Sequence, residues 1–404
     1  MRLLPASANA DARRLLFARG LRGAADGWMS VLLPIYLLEL GYEAHHAGLL
    51  ASAALLGSAL LTMAIGFLPL PWGRRALLIA ASALMAATGL AVAGFEGFVP
   101  LLLVAFLGTL NLSAGDTSVF QPLEQALLPD TASDAHRTAL FGRYAFLGSA
   151  AGAAGALGGG APDWMVAQGL TDKLGAMQAM FALYSVAGIG AGMLYARLDT
   201  GERPAPGTPL PRLGPSRGIV IKLSLLFAVD SFGSSLIVQS LVSLWFYDRL
   251  GLSLTEISAV FFWAGLASAA SLLLAAPVAR RIGLVNTMAF THLPANVFLA
   301  AMPFFEDPAT VIGLFLARNL LSQMDVPTRA SYVAAVVRPE ERAAAASVTL
   351  LPRSLAAAMG PSLGGALFAL APFAWPFLIA GALKAGYDVA LYVMFRAIKP
   401  PEER

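Results

Sequence analysis

Apolar positions along this chain come in long continuous runs rather than in alternation. Runs of roughly 20 residues recur from one end to the other, the length a helix needs to cross ~30 Å of hydrocarbon. A membrane strand would instead show ~10-residue stretches alternating apolar and polar. The runs predict helices near 17–41, 47–69, 76–95, 99–120, 138–161 and 175–196. A second series follows near 219–245, 255–279, 286–305, 309–328, 343–370 and 374–396. The longest polar interruption, Arg197 to Arg217, holds Pro204, Pro206, Pro209, Pro211 and Pro215, which predicts a semi-extended linker. The expected organisation is therefore a six-helix half over 1–196, a linker over 197–217 and a second half over 218–404.

Composition agrees with the pattern. Charged residues are 13% of the 404, against about a quarter in a soluble domain, so too little charge is present to wet a water-soluble surface. The fold class is an all-α polytopic membrane protein, with twelve transmembrane helices in two pseudo-symmetric six-helix bundles. Cysteine is absent, which excludes disulfides and thiolate metal sites. Four histidines without HExxH spacing give no metal-enzyme pattern, and no GK[ST] loop is present to cradle phosphate. No cofactor is called for, and no enzyme is expected. The polar N-terminal stretch, ending in Arg13-Arg14, lacks the pattern of a cleaved signal peptide.

The basic residues set orientation. With the N-terminus inside, Arg13, Arg14, Arg74, Arg75, Arg280, Arg281 and the arginines of the linker all fall on the cytoplasmic side. The opposite side takes only Lys173 and Arg249. This places both termini in the cytoplasm of a cell whose inner (plasma) membrane the chain spans. It also explains the net charge of +3 as topology rather than as a nucleic-acid footprint.

The two halves echo each other. Span one reads Gly23-Ala-Ala-Asp26-Gly-Trp and span seven Phe227-Ala-Val-Asp230-Ser-Phe. Span four runs from Phe106-Leu-Gly-Thr to Asp116, and span ten from Phe315-Leu-Ala-Arg to Asp325. Arg143 then follows in span five and Arg353 in span eleven. Repeated halves with sites near the bilayer midplane are a transporter pattern. At Asp325-Val-Pro-Thr-Arg329 and Val337-Arg338-Pro339-Glu340-Glu341-Arg342 the chain resembles the major facilitator superfamily. The loop Gly66-Phe-Leu-Pro-Leu70-Pro-Trp-Gly73-Arg74-Arg75 looks like a degraded copy of that family's signature, with Leu70 where its Asp usually falls. The resemblance covers nearly the whole chain. It implies that spans one, four, seven and ten line a central cavity open alternately to each side.

Ionisable groups in hydrocarbon cost at least ~2.5–3.5 kcal/mol each, so each needs a partner or a wet cavity. Asp26, Asp116, Asp230, Asp325 and Asp388 stand against Arg22, Arg143, Arg318, Arg353 and Lys384. Helical spacing pairs Arg22 with Asp26 and Lys384 with Asp388 at i,i+4, and Arg318 with Asp325 at i,i+7. Two clusters are expected, Asp26–Asp116–Arg143 and Asp230–Asp325–Arg353. They either pin helices and lock a gate, or let an Asp exchange the coupling proton, since burial raises a carboxyl pKa and a neighbouring Arg lowers it.

Arg318 breaks the repeat, because Thr109 holds the matching place in span four; it is a candidate for an anionic substrate group. Asn111 and Gln239 are candidates for hydrogen-bonding a substrate. Trp28 and Tyr36 either stack on it or pack. His292 reads as a structural histidine. Gly148 to Gly155 in span five and Gly360-Pro361-Ser-Leu-Gly364-Gly365 in span eleven allow close helix contact. The second run also resembles an antiporter motif, a hint of export. The reading is a proton-coupled transporter of a small organic solute, by export or, alternatively, by uptake of an organic anion. A membrane-embedded enzyme or a non-transporting receptor ranks lower. A monomer in the lipid bilayer is expected.

Overall fold

Each helix start that the structure shows capped uses a side chain that the sequence supplies. Asn9 accepts from the Ala12 amide (3.0 Å) and opens α1 (Ala10–Glu39). The computed structural model describes residues 9–67, 72–112, 118–131, 137–199, 214–338, 341–370 and 375–398. After α1 come α2 (Ala44–Phe67), α3 (Arg74–Gly94), α4 (Phe98–Leu107), α5 (Phe120–Leu127), α6 (Arg137–Leu157), α7 (Ala161–Ala167) and α8 (Lys173–Tyr195). Beyond the polar segment follow α9 (Arg217–Ser235), α10 (Gln239–Leu250), α11 (Leu254–Ile282) and α12 (Leu284–Ala301). The last four are α13 (Pro308–Ser322), α14 (Asp325–Val336), α15 (Arg342–Leu370) and α16 (Trp375–Phe395). Asp172 caps α8, Ser253 and Glu256 form a capping box on α11, and Asp307 with Pro308 begins α13. Gly251 (φ 64°) and Gly283 (φ 89°) end α10 and α11 in conformations that favour glycine.

No β-strand occurs among the described residues, and the fold is all-helical. Six helical segments among them are long and apolar enough to cross a membrane unaided, including Ala44–Ile65, Arg217–Leu250 and Leu254–Ile282. The expected twelve crossings are consistent with this, because others are built from broken pieces: α4 with α5, and α13 with α14. Large apolar side chains such as Leu103, Leu107, Leu273, Val389 and Val393 stay exposed, as a lipid-facing surface requires.

The breaks are the main departure from the run-length reading. The spans expected at 99–120, 219–245 and 309–328 are each interrupted, after Leu107, Ser235 and Ser322. The backbone groups freed there find polar partners. The Thr109 amide lies 3.4 Å from Thr88 Oγ1, the Ser240 amide 3.4 Å from the Leu112 carbonyl, and the Gln323 amide 3.2 Å from Ser271 Oγ. Irregular backbone at membrane depth persists only where protein or a cavity satisfies it in this way.

Small residues set the helix seams. Gly27 lies against the backbone of Gly152 and Ala156, and Gly155 against Ala24, so α1 and α6 meet backbone to backbone. Gly360 and Gly364 of α15 pack on Ser235 and Leu236, and Gly365 lies on Gly48 of α2. The glycine run read as a hint of export is thus occupied in packing.

Hydrogen bonds between the first six spans and the last six gather at the end of the bundle away from the chain termini. Ser243 donates to the Val31 carbonyl (3.1 Å) and Gln239 to Ser30 (2.9 Å). The Ser362 amide donates to Ser52 Oγ (2.8 Å), and Thr255 to Asp163 (3.1 Å). Lys173 Nζ sits 2.8 Å from Glu39 and, with it, holds the Tyr247 hydroxyl. This end is fastened, and a cavity lies between the halves beneath it.

Candidate functional site

The cavity measures about 570 Å³ and is walled mainly by α1, α6, α9, α11, α13 and α14, with one or two residues each from α2, α5, α10, α12, α15 and α16. Asp26, Asn111, Asp230, Gln239, Arg318, Asp325 and Arg353, all picked out on the sequence, line it. Asp26 is half-buried on α1. It accepts from the Tyr184 hydroxyl (3.2 Å) and from Asn111 Nδ2 (3.4 Å), and Tyr184 also donates to the Thr109 carbonyl at the break after α4. Gln239 reaches Ser30 across the two halves.

On the other wall, three helices converge on one carboxylate. Asp230 of α9 takes Lys384 Nζ of α16 at 2.7 Å and Arg329 of α14 at 2.9 Å. Arg329 also pairs with Asp325 one turn before it and stacks over the Phe227 ring at 4.8 Å. Lys384 further donates to Ser234. All four ionised groups are buried, and all line the cavity.

Several expected pairings are replaced. Lys384 and Asp388 do not neutralise each other: Lys384 serves Asp230, while Asp388 is held by His292 (2.8 Å) and Asn296 (2.8 Å). Asp325 pairs with Arg329 rather than with Arg318, because i,i+4 brings side chains closer than i,i+7. Arg353 is not the ion partner in the second cluster; Arg329 takes that place. Arg22 forms its ion pair with Glu124 (2.6 Å) instead of relying on Asp26. Of the first cluster, Asp116 lies outside the described residues. Arg143 sits half-buried on α6 away from the cavity lining, with its NH1 buried and unbonded among the described residues. Trp28 and Tyr36 do not reach the cavity. Trp28 donates to the Met180 carbonyl (3.2 Å), and Tyr36 accepts from Gln178 and packs edge-on against Phe181.

Glu124 is the residue that sequence reasoning missed. Fully buried on α5, it accepts from Arg22, Tyr144 (2.5 Å) and Tyr195 (2.5 Å). Arg22 lies over the Phe120 ring at 4.0 Å. A lone acid in the amphipathic stretch Phe120–Leu127 was the available signal. Arg329 was equally visible, four residues after Asp325, but reads from sequence as one more positive residue of a cytoplasmic loop.

Arg318 differs from the other cavity cations. It carries no hydrogen bond or ion pair among the described residues, and its Nε is buried; Arg353 shares both properties.

Residues 223–404 match the sequence profile of the Major Facilitator Superfamily. That match lies in the second half of the chain. The solved structures agree on the fold over nearly the full length. A bacterial homologue of the iron transporter ferroportin in an inward-facing state superposes with a TM-score of 0.74 at 15% identity, covering 95% of this chain and 98% of that one. The nucleoside transporter NupG gives a TM-score of 0.69 at 14% identity, covering 98% and 99%. Among curated proteins, the uncharacterized membrane protein YJR124C of Saccharomyces cerevisiae is 23% identical over 427 residues, covering 97% of this chain and 95% of that protein. In the fold shared with these structures, the fastened end, the broken helices and the charged cavity become parts of one arrangement.

Proposed function

We propose that this membrane protein is a secondary active transporter of the Major Facilitator Superfamily type that carries a small organic solute by alternating access, coupled to protons. It works as a monomer with both termini on the cytoplasmic face of the inner membrane. The halves 1–196 and 218–404 rock about the cavity, joined by the 197–217 linker. The observation that supports this most is Asp230, a cavity carboxylate held by cations from two other helices. It lies five residues before the end of α9, and Asp325 directly follows the α13–α14 break. Bending at those breaks moves Arg329 and Lys384 relative to Asp230. A carboxylate in low dielectric that loses a cation gains affinity for a proton, so protonation and conformation are linked. Export keeps no support from the Gly360–Gly365 run, which serves packing.

The test needs no known substrate, since the chain has no cysteine to remove. Spin labels at Glu43→Cys and Glu306→Cys report the fastened end, and labels at Trp72→Cys and Arg281→Cys report the other. Between roughly pH 8 and pH 5, the two distances should change in opposite senses, and Asp230→Asn should abolish the response. Distances that move together, or that ignore pH, would end this reading.

A further inference from the structure

The cavity wall carries more positive than negative charge. Among the described residues it presents Arg19, Arg318, Arg329, Arg353 and Lys384 against Asp26, Asp230 and Asp325. Arg329 and Lys384 are consumed by Asp230 and Asp325. Arg318 and Arg353 line the same space, and neither forms an ion pair among the described residues. An Arg stays charged whatever its surroundings, so these two sites are permanent cations in a low-dielectric setting. Such a group is stable when water or a ligand supplies the missing negative charge.

A third group completes the arrangement. Ser322 stands four residues after Arg318 on α13, hence on the same helix face, and lines the same cavity. Its hydroxyl, like the Nε atoms of Arg318 and Arg353, is buried with no hydrogen-bond partner among the described residues. Three donors without acceptors around one cavity are unusual in a folded protein, where buried polar groups are nearly always paired. Their shared chemistry is donation to oxygen atoms that carry negative charge, and a guanidinium does so in two-pronged fashion.

We infer that Arg318, Ser322 and Arg353 form a binding site for the anionic group of the transported solute, a small organic carboxylate or phosphate. This deepens the transporter reading and rests on it. Repeat symmetry supports the assignment: the matching position in the first half is Thr109, which is uncharged and does not line the cavity. The site is therefore one-sided, as a site for a single charged group requires. An anion and a proton bound in one cavity attract each other, so charge favours carrying both in the same direction over exchanging them. That supports proton-coupled uptake above export.

Binding is read by thermal unfolding of the full-length protein in detergent with graded ligands. Succinate, citrate and glucose 6-phosphate are the anions; glucose and glycerol are neutral; spermidine is the cation. Sodium sulfate at matched ionic strength controls for salt. At least one organic anion should raise the unfolding temperature saturably, and its affinity should fall about 10-fold or more in Arg318→Gln. Arg353→Gln and Ser322→Ala should weaken it too, while Arg318→Lys should retain part of it and keeps the test alive if Arg318→Gln fails to fold. Stabilisation by neutral or cationic compounds alone, by no organic anion, or by an anion indifferent to Arg318→Gln and Arg353→Gln overturns the assignment. The spin-label distances separate the two failures. If they still alternate with pH while no anion binds, the transporter reading stands and this site does not.

Discussion

Replacing Glu124 by Ala should be among the most damaging single changes available in the first half. The carboxylate is fully buried and accepts three hydrogen bonds, from Arg22 at 2.6 Å and from the Tyr144 and Tyr195 hydroxyls at 2.5 Å each. Arg22 is itself 1% exposed. Removing one member of such a pair leaves a buried charge poorly compensated, which costs about 3–5 kcal/mol. Both the Tyr144 and Tyr195 hydroxyls lose Glu124 as acceptor, adding about 1 kcal/mol each, although Tyr195 still accepts from Arg22 Nε (3.1 Å). Glu124→Gln keeps the volume but turns an amide NH₂ toward donors, and should cost about 2–3 kcal/mol. The informative variant is the double Arg22→Met, Glu124→Leu. With both charges gone no desolvated ion remains, so it should be less harmful than Glu124→Ala alone. Equilibrium unfolding in mixed micelles, read on these three variants and on Arg22→Met and Glu124→Leu alone, gives the free energies. A Glu124→Ala cost below about 0.5 kcal/mol, or a double variant as costly as the two single changes added, would refute the argument that this pair is a buried, mutually dependent unit.

Two further outcomes follow from the same geometry. Lys173→Ala and Tyr247→Phe loosen the tie that Lys173, Glu39 and Tyr247 make across the halves. Because Lys173 and Glu39 are about a third exposed, each change should contribute no more than about 1 kcal/mol, seen as an up to ~5-fold gain of the longer distance between labels at residues 43 and 306. Unchanged distance distributions would show that this contact does not hold the end closed. For orientation, Gly207→Cys should react with an impermeant maleimide only after the cytoplasmic face is opened, and Ala44→Cys from the outside. Labelling of Gly207→Cys in intact cells would invert the topology.

The crossings were legible because a long apolar run is a local property of the chain, readable without knowing what it touches. The breaks were not. Leu236, Ile237 and Val238 are as apolar as any helical stretch, yet the backbone leaves the helix there and Ser240 turns to Leu112. Only contact with the other half explains that. Asp230, Asp325 and Arg318 were conspicuous as charges within apolar runs, and all three line the cavity. Their partners could not be read in the same way. Lys384 and Asp388 stand at ideal helical spacing, but each finds a better partner on another helix, Asp230 for one and His292 with Asn296 for the other. A weak i,i+4 attraction of a few tenths of a kcal/mol does not compete with a desolvated contact between helices. Glu124 escaped notice because it follows a break, in a short amphipathic helix that run length assigns to a loop.

The two halves repeat their positions but not their chemistry, and that difference bears on where ligand acts. In the first half the buried acid Glu124 is sealed among Arg22, Tyr144 and Tyr195, and neither Glu124 nor Arg22 lines the cavity. In the second half, Asp230, Asp325, Arg329 and Lys384 all do. A network set back from the cavity behind Tyr144, with its acid and cation matched to each other, fits a structural role. An open one changes energy with whatever enters. The cavity-lining cations without an ion pair among the described residues, Arg318 and Arg353, belong to the same half. Both kinds of charge, the exchangeable and the unmatched, thus sit on α9 and α13–α16, beside the breaks in α9–α10 and α13–α14. Binding at this wall acts directly on helices that are already interrupted, whereas much of the first half's share of the cavity lies on continuous α1 and α6, with Asn111 at the α4–α5 break and Gln121 and Gln125 on α5 beside them. On the proposed reading, the second half is the part that senses ligand, and the first half is the surface against which it moves.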